Sequence, residues 1–260
     1  MLRSRLIPVL LIHKGLLHKT VRFSDHKYVG DPLNAVRIFN EKQVDELIVL
    51  DIDASVKGVE PNYDLVSKLA VECRMPLCYG GGIKKVGDVE RLIGLGVEKV
   101  AIGSALSVDP GLVVESAKRV GSQSLVGVVD VKKVGLLKRY SVVTHNASRS
   151  LNIEPLDYCK KLVDVGVGEL LINSVDHDGT MKGFDSNLIK EISQACSIPL
   201  TAVGGCGSLD DAERLSMESG PLGLGAGSIF VFKGKYKAVL ISYPEGDLKR
   251  RIVEAPACHV

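Results

Sequence analysis

The sequence predicts an α/β chain folded as one closed (β/α)8 TIM barrel with a twofold half-barrel repeat, and three observations carry that expectation. The first is the repeat itself: PLCYGGGIKKVGDVERLIGLGVEKVAIGSA from Pro76 returns as PLTAVGGCGSLDDAERLSMESGPLGLGAGSI from Pro199, 123 residues later. The match extends upstream, where VDELIVLDIDAS from Val44 aligns with VGELLINSVDHDGT from Val167, so Glu46 corresponds to Glu169 and Asp53 to Asp176. Repeated βα units of this length suit a barrel assembled from two halves. The second observation is an unbroken alternation of short apolar runs with amphipathic stretches. The third is length: 260 residues lie close to the roughly 250 typical of such a barrel, so residues 1–260 read as a single domain.

Taken in order, apolar runs predict eight strands, near 5–12, 46–51, 77–79, 99–102, 125–130, 169–173, 200–203 and 223–226. The run from Leu6 to Ile12 holds Pro8, is too short to span a bilayer and lacks a small-residue cleavage site, so it reads as the first barrel strand. Between the strands lie helical patterns such as DPLNAVRIFNEK from Asp31, DPGLVVESAKRV from Asp109 and EPLDYCKKLVDV from Glu154. Each opens with an acid and a proline, both of which a first helical turn accommodates. An open doubly wound sheet is the competing architecture, but no G-x-G-x-x-G follows the first strand, and the twofold repeat favours closure.

Composition narrows the function. With 45% hydrophobic and 25% charged residues the chain has a soluble globular make-up. A net charge of +2 gives no general case for nucleic acid, although local basic clusters suit a phosphorylated ligand. Cys73, Cys78, Cys159, Cys196, Cys206 and Cys258 form no C-x-x-C and read as buried, reduced thiols of a cytoplasmic protein. The six histidines are scattered along the chain and pair with no carboxylate at ligand spacing, so neither a metal nor a cofactor is expected. No membrane partner is expected either.

Two connections are long. The stretch from His13 to Gly30 carries Lys14, His18, Lys19, Arg22, His26 and Lys27 and reads as a basic loop able to close over an anionic substrate. The stretch from Val131 to Ser150 alternates like a hairpin around Gly135 and is also basic. Both leave the C-terminal ends of strands, where barrel active sites lie. Glycines mark the same face: Gly81 and Gly82 end strand three, Gly103 and Ser104 strand four, Gly204 and Gly205 strand seven, Gly227 and Ser228 strand eight. Glycine brings backbone N–H groups close to a phosphate without an intervening side chain. Four such strand ends in two matched pairs suit a ligand with a phosphate at each edge of the mouth.

IPVLL, GDPLNAVRIFNEKQVDELIVLDIDAS, YGGGIKKV, VVDVKK, LLINSVDHDGTMKGFD and AVGGCGS together resemble the HisF family, the cyclase subunit of imidazole glycerol phosphate synthase, over nearly the whole chain. The resemblance implies a phosphate site in each half-barrel and ammonia received from a HisH glutaminase at the N-terminal face. By likeness, Gly82, Gly103 and Ser104 hold one phosphate, and Asp178, Gly179, Gly205, Gly227 and Ser228 frame the other. The family usually has Asn-Thr where this chain has Gly103-Ser104, so a side-chain donor is lost there. Arg5, Glu46, Lys99 and Glu169 match the family's ammonia gate. Spacing alone reads them as a salt-bridge cluster closing the barrel floor.

The resemblance also breaks at a catalytic position. Of the family's two catalytic aspartates, the strand-five acid is present as Asp130, but strand one reads Val9-Leu10-Leu11-Ile12 and Leu11 stands in the position of the other. Cyclase chemistry needs proton delivery as well as removal, and leucine has no proton to give. The L-L-I motif, KTVRF from Lys19 and KYVGDPLNAVRIFNEK look like the AglZ or WbuZ branch of HisF-like proteins. Those accompany a HisH-like glutaminase and an N-acetyl sugar amidotransferase in surface-polysaccharide (O-antigen type) synthesis. The implied role is to pass ammonia toward amidation of a phosphorylated or nucleotide-linked N-acetyl sugar. An authentic histidine-pathway cyclase and a non-catalytic barrel that binds sugar phosphate are the alternatives.

Overall fold

The computed structural model describes residues 3–254. Eight parallel strands close on themselves: Arg5–His13, Leu47–Asp51, Leu77–Gly80, Lys99–Ile102, Leu125–Val134, Glu169–Ser174, Leu200–Val203 and Gly223–Ala226. Strand one pairs with strand eight at Arg5 and Gly223 and with strand two at Val9 and Ile48. Strands five and six pair over six positions and seal the ring. The fold is the (β/α)8 barrel that the repeat implies. Seven strands lie within a residue of their predicted limits, and strand five runs on to Val134 because its outer end is one arm of a hairpin.

The repeat holds at the level of single hydrogen bonds. In the first half Asp88 Oδ2 accepts from the backbone N–H groups of Lys84 and Lys85, at 2.9 and 3.1 Å. In the second, Asp211 Oδ2 accepts from those of Gly207 and Ser208, at 3.1 and 3.0 Å. Each carboxylate thereby satisfies donors at the start of its helix, Val86–Gly94 or Leu209–Ser219. Likewise Asp53 takes the N–H of Lys14 at 3.0 Å, and Asp176 takes that of Lys133 at 2.8 Å. Outside the repeat, Asp31 caps helix Pro32–Glu41 by accepting from Asn34 N at 2.9 Å, with proline in the first turn as expected.

Apolar residues form two layers. The larger lies between strands and helices, where Leu6, Leu10, Leu47, Leu170 and Leu224 meet Phe39, Leu69, Leu92 and Ile192. The smaller fills the barrel itself and includes Ile7, Val9, Leu11, Ile48, Cys78, Ala101, Val126, Leu171 and Val203. Side chains alternate between these layers along each strand, as the strand period of two requires. Cys78, Cys159 and Cys206 are buried, Cys73 and Cys196 half-buried, and all five are free thiols; Cys258 lies outside the described residues. The basic stretch before Val253 forms helix Gly246–Val253, held by Lys249 Nζ to Asp45 Oδ1 at 2.6 Å and by buried Ile252.

One element differs from expectation. The stretch after strand one is not a loop but a hairpin, Leu16–Val21 with Ser24–Gly30, paired back onto strand one. His13 pairs with Leu16 across Lys14 and Gly15, both at positive φ, which is the two-residue turn that matches strand twist. Burial of Leu17 and Lys19 on either side of the more exposed His18 was hidden among basic residues. The hairpin also gathers histidines that the sequence scatters: the rings of His13, His18 and His26 lie 4.3–6.3 Å apart, and His13 Nδ1 meets Asp53 Oδ1 at 2.7 Å. Among the described residues no group of three His, Cys, Asp or Glu side chains is arranged to hold a metal ion.

Candidate functional site

A cavity opens at the C-terminal end of the barrel, walled by the ends of the strands and roofed by the two hairpins. Lys19 defines its second-half side. The side chain is 6% exposed, and its ammonium donates to the Val9 carbonyl at 3.2 Å. A Cβ added at Gly227 would fall 1.9 Å from that ammonium, so the lysine rests directly on the Gly227 backbone. Burial lowers the Lys19 pKa and Asp178 works against that fall. Burial raises Asp178 in turn, opposed by Lys19 and by the Thr20 hydroxyl, which donates to its Oδ2 at 3.0 Å. A buried cation with one carbonyl acceptor, beside the Gly227–Ser228 turn, is built to meet an anion.

Asp178 and Gly179 also anchor the first hairpin. Arg22 N donates to the Asp178 carbonyl at 2.9 Å, and a Cβ at Gly179, whose φ is +67, would lie 2.0 Å from the Thr20 carbonyl. Glycine is therefore required there by the approach of the hairpin backbone. Gly205 lies on the cavity wall with Gly204, Gly227 and Ser228.

The first-half side has Gly81, Gly103, Ser104 and Ser55 on the wall. Gly82 lies off it, with its Cα against the Val59–Pro61 backbone and its N–H toward Ser55 Oγ at 3.5 Å. A Cβ at Gly103 would make only ordinary contact with Val128, at 3.5 Å, so this turn has room for a side chain that the sequence does not supply. The strand-five hairpin reaches over this side as the strand-one hairpin does over the other: Asn146 Nδ2 donates to the Ile52 carbonyl at 3.0 Å.

Between the two sides stand Leu11 and Asp130, on strands that are opposite in the eight-membered ring. Leu11 is 8% exposed and continues the apolar interior to the mouth. Asp130 faces the cavity with apolar surroundings. Burial pushes its carboxyl up to about 7, against the pull of Asn173 Nδ2, which donates to Oδ1 at 3.2 Å. A carboxyl poised there both takes and gives protons near neutral pH. The Asn173 carbonyl oxygen is buried and has no hydrogen-bond partner.

At the opposite end of the barrel, Arg5, Glu46, Lys99 and Glu169 form a closed ring of alternating charge. Arg5 binds Glu46 with one nitrogen and Glu169 with the other, the latter at 2.7 Å. Lys99 Nζ bridges the same two carboxylates at 2.9 and 2.8 Å. Thr201 Oγ1 adds a donor to Glu169 at 2.6 Å. Burial pushes Glu169 up, but Arg5 and Lys99 outweigh it and leave the carboxyl below its ordinary range. For Lys99, burial lowers the pKa, yet the two glutamates outweigh it and hold it raised. The ring is neutral overall and satisfied internally. Sequence reasoning brought these four together; Thr201 it missed, along with Asn173 and Ser55. Lys19 was noted only as one basic residue among six, although its alternation with Leu17 marks it as facing inward.

Comparison with known proteins agrees with this geometry. A model of the family described as "Histidine biosynthesis protein" matches residues 5–237. A protein of Leptospira borgpetersenii named "Putative imidazole glycerol phosphate synthase subunit HisF" is 50% identical over 252 residues, covering 97% of this chain and 99% of that one. Proteins named as putative subunits of the same synthase in Vibrio vulnificus and Pseudomonas aeruginosa are each 49% identical, over 254 and 245 residues. The first alignment covers 98% of both chains, and the second 94% of this chain and 97% of its relative.

Proposed function

The chain belongs to the histidine biosynthesis protein family as a HisF-like barrel, and from that premise we propose that it is the ammonia-using subunit of a glutamine-dependent amidation system. A HisH-like glutaminase docks at the floor, and ammonia leaves at the mouth for an N-acetyl sugar amidotransferase of surface-polysaccharide synthesis in the cytoplasm. The reading is carried by one observation: the self-paired ring of Arg5, Glu46, Lys99 and Glu169 lies beneath an interior lined by Ile7, Ile48, Cys78 and Leu171. Neutral ammonia crosses an apolar interior, whereas ammonium faces the full desolvation cost of an unpaired ion. The ring parts for a small neutral molecule and otherwise excludes bulk water.

At the mouth Lys19, Gly227 and Ser228 hold the phosphate of the ligand, and Asp178 opposes the fall that burial imposes on the lysine's pKa. Asp130 manages protons as ammonia arrives, with a pKa of about 7 suited to both directions. Leu11 leaves the opposite strand without a second acid, which argues against ordinary cyclase turnover. Co-expression with the neighbouring glutaminase tests the reading: a stable complex and a rise in glutaminase turnover are expected, and the absence of both removes it. A second reading, the authentic cyclase of histidine synthesis, draws on the relatives' names and on the poised Asp130. Rescue of a histidine auxotroph lacking its own HisF decides for it.

A further inference from the structure

Three hairpins stand at the mouth of the barrel: the one after strand one, the one formed by strand five with Arg139–Thr144, and a short one pairing Phe232–Lys233 with Ala238–Val239. Segments 13–30, 131–152 and 232–240 carry twelve lysines and arginines against one acid, Asp25, in a chain whose net charge is only +2. The rest of the chain is therefore negative overall. Among the described residues none of these twelve cations makes a salt bridge, whereas cations on the helices, such as Lys118 with Glu115 and Arg214 with Asp211, do.

Apolar side chains stand among them. Leu136 is wholly exposed and Leu137 is 76% exposed at the tip of the strand-five hairpin, between Lys133 and Lys138-Arg139. Tyr236, 89% exposed, tips the third hairpin between Lys235 and Lys237. The third hairpin touches the first, where Lys27 Nζ donates to the Lys237 carbonyl at 2.8 Å and lies over the Phe232 ring. A steering field for a soluble anion accounts for the cations but not for two adjacent leucines held in water. A protein partner suits them less, since protein interfaces are depleted in lysine and nine of the twelve cations are lysines. Unpaired lysines flanking a projecting apolar tip match a surface that is anionic at headgroup depth and apolar just beneath.

We propose that the mouth of this barrel docks peripherally on an anionic lipid bilayer, with Leu136 and Leu137 entering the acyl boundary and the exposed lysines of the three hairpins, buried Lys19 excepted, meeting lipid phosphates. The expectation of no membrane partner rested on the lack of a span, and peripheral docking needs none. The proposal concerns the hairpin tips and does not rest on the ammonia reading, which places its partner at the cavity opening between them. Its test is co-sedimentation of the full chain with vesicles of phosphatidylcholine alone or with roughly one third phosphatidylglycerol. Binding is expected to the anionic vesicles only. It falls about fivefold for each of Lys138→Gln and Arg139→Gln, and roughly tenfold or more for Leu136→Asp with Leu137→Asp. All of these variants keep the wild-type melting curve, because the side chains are exposed. Three outcomes overturn it: no binding to anionic vesicles, binding indifferent to the leucine pair, or capture by immobilised poly-glutamate without vesicle binding, which identifies an acidic protein face.

Discussion

Each half of the barrel sends the hairpin that follows its first strand across the mouth to the other half, and the two crossings are built alike but charged differently. Thr20 and Arg22 settle on Asp178 and Asn146 on Ile52. Lys19 follows the residue paired with Leu11, and Thr144 follows the residue paired with Asp130, so the two occupy corresponding places. The repeat likewise sets Asp178 against Ser55. The second-half side thus holds a buried lysine and a carboxylate where the first-half side has two hydroxyls. In the middle the bias reverses, with the acid of strand five facing the leucine of strand one. What the halves share, from the Asp88 and Asp211 caps to the Asp53 and Asp176 anchors, is scaffold. Where they differ, chemistry is concentrated.

The sharpest way to break this comparison is to remove its charge. Replacing Lys19 with Met keeps the stem and deletes the ammonium, and is expected to weaken binding of a phosphorylated sugar by roughly ten- to a hundredfold, the worth of a charged hydrogen bond. Thr144→Val, at the corresponding place, changes it by no more than about twofold. Titration calorimetry on both variants reads the contrast, and equal losses would dissolve the asymmetry.

A smaller effect comes from the glycines. Gly227→Ala pushes the Lys19 ammonium off its seat and costs roughly tenfold in the same affinity. At Gly103 the added methyl makes ordinary contact with Val128, so Gly103→Ala stays within about twofold and leaves stability within about 0.5 kcal/mol.

Smallest is the pH response of Asp130. Its folded pKa, about 7, is raised above the ordinary carboxylate value, so the folded state binds the proton more tightly than the unfolded chain. Stability from this group is fully present below the unfolded pKa and is lost as pH rises through about 7. Asp130→Asn has no such loss, and its melting temperature should gain on the wild type between about pH 5 and pH 8. A gap that stays constant across that range would mean that Asp130 ionises normally.

Much of this was legible in the sequence for physical reasons. Floor residues sit on or just before strands whose register is fixed by burial on both faces, so their meeting was legible: Arg5, Glu46, Lys99 and Glu169 pair in one ring. Asp130 and Leu11 both face the mouth for the same reason. The strand ends were harder. Gly81 lies on the cavity wall and Gly82 off it, a one-residue difference set by turn geometry that glycine spacing does not encode. The first hairpin was hidden because its turns use Lys14-Gly15 and Arg22-Phe23, and only the former carries a glycine. Without the hairpin, Lys19 had no inward direction. Asn173 and Thr201 depend on neighbours 43 and 32 residues away that no local pattern names.

In the proposed function the barrel has an ammonia path and a phosphate grip, and Leu11 in place of a strand-one acid precludes cyclase turnover. Its most direct test is ammonia-dependent conversion of the aminated ribulosyl substrate of histidine synthesis by the wild type and by Leu11→Asp, with binding of that substrate measured alongside. No turnover above background is expected for the wild type, and turnover raised by roughly a hundredfold or more in the variant, the usual worth of a positioned acid. Substantial turnover by the wild type, unchanged or lowered in Leu11→Asp, would contradict it.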